Sequence, residues 1–82
     1  MSVKATSLTN RVKVIIERME DGYIAYPLGM KGIVIGQGDS YHDALADVTS
    51  AIHAHLQEFG PECLEESNSA IEAFIAEAEV PV

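Results

Sequence analysis

The sequence predicts an α+β fold of order β-β-β-α-β, a four-stranded mixed sheet covered on one face by one long helix. Three observations carry this. Apolar residues alternate from Arg11 to Met19, which is the period of a half-buried strand. Asp21-Gly22 lies between two such runs and favours the positive φ angles of a hairpin turn. From 41 to 59, apolar residues recur at three- and four-residue steps, the stripe of a helix lying on a core. At 82 residues the chain, 1–82, makes a single domain. It is near the size at which a core alone stabilises a fold, so oligomerisation is expected.

Residues 1–9 are polar and read as a tail. The first strand, 11–19, places Val12, Val14 and Ile16 on one face and Lys13, Ile15 and Glu17 on the other. The second, 22–27, carries Tyr23, Ile24 and Tyr26, which favour strands. Pro27 ends it or marks a place where no ladder donor is needed. The third, 33–36, is the β-branched run Ile33-Val34-Ile35 with Gly36. Gly36 and Gly38 suit a tight turn into the helix, since glycine takes positive φ without steric cost. Ser40 then reads as the N-cap, and Asp43 three residues on completes a capping box. Asp39 and Asp43 sit where the helix dipole favours negative charge.

The helix, 41–59, is expected to bury Tyr41, Leu45, Val48, Ile52, His55, Leu56 and Phe59, and Gly60-Pro61 stops it. Residues 61–69 are an acidic connection. The segment 71–80 combines good helix formers with strand-like alternation: Phe74, Ala76, Ala78 and Val80 against Ile75, Glu77 and Glu79. A right-handed crossover from the covering helix would return it to the sheet as a fourth strand, giving the order 3-2-1-4.

Charge is distributed unevenly. All five basic residues (Lys4, Arg11, Lys13, Arg18, Lys31) precede residue 32. Of the thirteen acids, only Glu17, Glu20 and Asp21 do so, and the net charge is −8. Such a surface repels phosphate backbones and attracts basic protein surfaces, so direct nucleic-acid binding is not expected. The lone cysteine, Cys63, leaves no internal disulfide framework or cysteine-rich zinc site and fits a reducing cytoplasm. No apolar run is long enough to span a membrane.

Constellations for catalysis are weak. A two-metal nuclease needs carboxylates from strands and helix to converge. Glu17 and Glu20 lie towards the far end of the first strand, Asp39, Asp43 and Asp47 lie around the helix start, and the strand centre carries Val14 and Ile15. His53 and His55 are two apart on a helix and point different ways, and His42 is about three turns away. That is a poor zinc site within one subunit. His55, on the apolar stripe, reads as a half-buried, hydrogen-bonded core histidine. Acidic neighbours disfavour a Cys63 thiolate. Gly36-x-Gly38 lacks the following glycine or lysine of a phosphate loop. No catalytic residue, cofactor or metal ligand is assigned.

The order of elements, with Asp21-Gly22-Tyr23, Ala25-Tyr26-Pro27, Gly32 to Gly38, Gly38-Asp39-Ser40 and Asp43-Ala44, resembles the HicB family of antitoxins across about residues 11–80. The resemblance implies a partial RNase H-like fold without nuclease activity and assembly into dimers or tetramers. It also implies a partner, a small basic ribonuclease toxin of HicA type, neutralised by protein–protein contact. Two departures stand out. The chain ends with the expected fourth strand rather than a DNA-binding domain, so operator binding is not expected. Leu28-Gly29-Met30 replaces the usual Asp-Leu-Pro. A stand-alone oligomer without a toxin and a vestigial metal-dependent nuclease are the alternative readings.

Contacts with a toxin or a second copy are expected from Tyr23, Tyr26 and Tyr41 as aromatic anchors, from His55, and from the two sheet edges. One edge is Ile33, Val34 and Ile35; the other is the last strand, where Glu77 and Glu79 guard against indiscriminate pairing. Gly22, Gly36, Gly38, Asp39, Ser40 and Asp43 are expected to shape the turn and cap.

Overall fold

A computed structural model describes residues 11–64 and 72–82. The fold is α+β: a three-stranded antiparallel sheet with one helix on one face. The strands are β1 (Val14–Met19), β2 (Gly22–Pro27) and β3 (Gly36–Gly38), in the order β1-β2-β3. The helix, α1, spans Tyr41–Phe59, and a single 3-10 turn, Pro61–Cys63, follows it. The expected tail, 1–9, lies outside the described residues.

The hairpin pairs Met19 with Gly22 and Val14 with Pro27, so its two-residue turn is Glu20-Asp21, one position earlier than expected. Gly22 begins β2 with φ 143°, and a Cβ there would meet the Gly38 carbonyl oxygen at 2.8 Å. Alternation is kept: Ile16 pairs with the buried Ala25 on the helix side, and Ile15 pairs with Tyr26 on the other.

Strand β3 is a correction. The expected strand 33–36 is not one; Ile33-Val34-Ile35 is unpaired, and the ladder runs through Gly36, Gln37 and Gly38, opposite Ala25, Ile24 and Tyr23. Continuing this register would set Val34 opposite Pro27, which has no N–H to give, so pairing stops at Ala25. Gly36 and Gly38 are not among the positive-φ glycines either. Their role is close approach. A Cβ on Gly36 would stand 2.6 Å from Val48 Cα, and one on Gly38 would stand 2.7 Å from the Ala44 nitrogen. The helix therefore rests backbone-to-backbone on β3.

That contact sets which stripe is buried. Ala44, Val48 and Ile52 are buried and form the core with Ala25 and Val34. Leu45 and Leu56 pack beside it with Val12, Val14, Ile16, Tyr23 and Met30. Tyr41 (59% exposed) and Phe59 (57% exposed) do not join it, contrary to expectation. The cap is as expected on one side: the Ser40 hydroxyl accepts the Asp43 N–H at 3.0 Å. At the other end Gly60 takes φ 78° and its N–H donates to the Leu56 carbonyl.

After the helix, the Lys31 N–H donates to the Cys63 carbonyl at 2.7 Å, and Leu64 forms a bridge with Met30. The chain is thus held beside the β2–β3 connection as it leaves α1. The expected fourth strand, 71–80, is a second correction. Ile71 lies outside the described residues, and 72–82 belong to no strand or helix and are exposed throughout. Alternation gave that segment a strand-like pattern but no neighbour among the described residues.

Candidate protein-binding surface

The C-terminal half of α1 and the unpaired run before β3 build the surface that stands out. Ile33 and Ile35 project from the run at 88% and 58% exposure, while Val34 between them turns into the core. Val34 is therefore mainly a core residue that also forms part of the groove floor, as the alternation of its neighbours requires. Across from it, α1 supplies Ala51, Ala54, His55, Glu58 and Phe59, and together these line an open groove of about 350 Å³.

His55 is held in place. Its Nε2 lies 2.8 Å from the Lys31 carbonyl oxygen, which can only accept, so Nε2 carries the proton. Gly32, at φ 93°, makes room for the ring, since a Cβ there would stand 2.9 Å from His55 Cε1. The imidazole also lies against Phe59, with ring centroids 4.7 Å apart at 49°. His55 is thus a half-buried scaffold residue of the groove wall. A second cleft, on its other side, is lined by Lys31, Gly32, His55, Phe59, Glu62 and Cys63. Exposed Glu58 and Glu62 flank the apolar ridge made by Phe59.

The three tyrosines do not gather here. Tyr23 packs against the core and reaches a shallow hollow at the hairpin with Asp21 and Asp39. Tyr26 is on the sheet face opposite the helix, where its hydroxyl donates to Glu17 Oε2 at 3.2 Å. Partial desolvation, and then the hydrogen bond and charge of Glu17, hold its phenol above the usual pKa. Tyr41 stands exposed at the helix start. Glu77 and Glu79 lie in the exposed 72–82 segment, joined to none of these. Of the residues expected to shape the turn and cap, Ser40 and Asp43 form the cap, Gly36 and Gly38 belong to β3, and Gly22 begins β2 just after the hairpin turn.

Sequence reasoning assigned Phe59 to the core and so missed it as a surface residue. Its place in the last helical turn, beside Gly60-Pro61, was the available signal. Nor do the carboxylates weighed for metal chemistry converge. Glu17 accepts from Tyr26, Asp47 accepts the Gln37 N–H at 2.9 Å, and Asp43 sits at the cap. Among the described residues no three His, Cys, Asp or Glu side chains gather as ligands for one metal ion. No helix among them is long and apolar enough to cross a membrane.

Compared with protein-family models, curated proteins and solved structures, the chain matches none.

Proposed function

We propose that the chain is a HicB-like antitoxin, which binds and neutralises a small basic ribonuclease by protein–protein contact. The observation that carries this is the exposed Ile33, Ile35 and Phe59 patch flanked by Glu58 and Glu62. It lies in a stretch of sequence with no Lys or Arg after Lys31. Apolar anchors inside an acidic border suit a basic partner: the anchors contribute affinity, and the charges steer the encounter and exclude acidic surfaces. The partial RNase H-like architecture belongs to this reading, with the motif order from Asp21-Gly22-Tyr23 to Asp43-Ala44 as its support. Residence in the cytoplasm belongs to it too, as the compartment of the toxin's RNA target.

The test is co-expression with a small basic ribonuclease encoded in the adjacent reading frame. Growth arrest by the ribonuclease is relieved by the native chain and not by Ile35→Asp or Glu58→Arg. A native chain that gives no relief overturns the reading. The second reading, a stand-alone oligomer without a toxin, is favoured by the exposed apolar residues of 72–82, which the antitoxin reading leaves unused.

A further inference from the structure

Segment 72–82 belongs to no helix or strand, is exposed throughout and is strand-patterned in sequence, with Phe74 at 83%, Ile75 at 71% and Val80 at 70% exposure. Strand β1 is at the edge of the sheet, and among the described residues none pairs with its outer side. Leaving an apolar strand edge and an apolar strand-patterned segment both open invites pairing. We propose that they pair with each other between two copies: residues 72–79 of one chain add antiparallel to the β1 edge of the other, and reciprocally, in a closed two-fold dimer.

Register and charge point to this arrangement. The Leu28 N–H donates to the Lys13 carbonyl, so residues 13, 15 and 17 direct their backbone polar groups at β2. Val14, Ile16 and Arg18 direct theirs to the open edge. Setting Val14 opposite Ala76 antiparallel then puts Ile16 opposite Phe74 and Val12 opposite Ala78 on the helix side. On the other side Ile15 meets Ile75. The same register sets Arg11 opposite Glu79, Lys13 opposite Glu77 and Arg18 opposite Glu72, so every glutamate of the segment faces a base. Opposite charges and paired apolar side chains across strands each contribute to stability. No prolines interrupt 72–80.

A parallel register brings no more than two of these glutamates opposite bases. Direction matters, because Leu64, after α1 and its 3-10 turn, is bridged to Met30 at the end of the sheet where β1 begins. A direct return from there onto its own β1 would run parallel. The antiparallel register that pairs every glutamate is supplied by a second copy approaching from the opposite end. This inference does not depend on a toxin.

Two charge-reversed full-length variants test it: Arg11→Glu with Arg18→Glu, and Glu72→Arg with Glu79→Arg. Light scattering after gel filtration is expected to show a dimer for the native chain and a monomer for each variant alone at micromolar concentration. Mixing the variants restores opposite charges at both exchanged strands, and an equimolar heterodimer is expected. A monomeric native chain overturns the proposal. So does a dimer that survives in both variants, or a mixture that stays monomeric while circular dichroism shows both variants folded. The toxin co-expression assay reads a different surface, so the two proposals fail separately.

Discussion

The two halves of α1 meet the rest of the protein differently. At the start, Gly36 and Gly38 let the helix backbone come down onto β3, and the small or branched side chains Ala44 and Val48 are fully buried. At the end, the facing segment has lost its partner at Pro27; Ile33, Ile35 and Phe59 are left largely exposed around His55. The fully buried helix residues, Ala44 and Val48, are thus in the tight half, and the exposed Ile33, Ile35 and Phe59 gather around the loose half. Burial here follows how closely two backbones can approach, more than how hydrophobic the side chains are. The tight half carries the stability, and the loose half offers surface.

The comparison breaks most sharply at Gly36. Gly36→Ala introduces a methyl that would stand 2.6 Å from Val48 Cα, against backbone that cannot swing aside. The expected cost is about 3 kcal/mol, the upper range for overpacking. In a domain this small that is a large share of the total stability. Urea unfolding at fixed protein concentration should show the midpoint falling steeply. A midpoint close to that of the native chain would mean that helix and strand are not in contact there.

A smaller effect is expected at the cap. Ser40→Ala removes the acceptor of the Asp43 N–H and should cost about 1 kcal/mol. The same unfolding measurement reads it, and Ser40→Asp, which can still accept, should recover most of the loss. If Ser40→Ala and the native chain unfold together, the first turn is held by packing on β3 alone.

Much of the tight half was legible in the sequence. The helix bounds, Ser40 as cap and the hairpin all follow from local rules that a short window contains. The Gly36-Gln37-Gly38 stretch was read as a turn because glycine's usual signal is conformational. Its use here, permitting contact with Val48, depends on a residue twelve positions away. Pro27 was likewise recognised as a ladder breaker, but which strand it would deprive depended on the register, and the loss fell on Ile33-Val34-Ile35. The loose half was harder to read for the same reason. Phe59 falls on the apolar stripe by spacing, yet whether a stripe residue is covered depends on what lies opposite its own turn. Alternation in 72–80 gave a strand pattern with no indication of which chain would supply the neighbour.

The last substitution tests whether the exposed end of α1 is surface or scaffold. Phe59 is 57% exposed, and its described ring contact is with His55 at 4.7 Å. Phe59→Ser should therefore change unfolding stability by no more than about 0.5 kcal/mol, the usual range for surface positions. In the co-expression assay the same variant should fail to relieve growth arrest, because it removes the apolar centre of the patch and leaves Glu58 and Glu62 in place. Loss of protection with stability intact separates binding from folding. A variant that unfolds readily would instead place Phe59 in the core by another route, and the contrast between the two halves of the helix would then be one of degree.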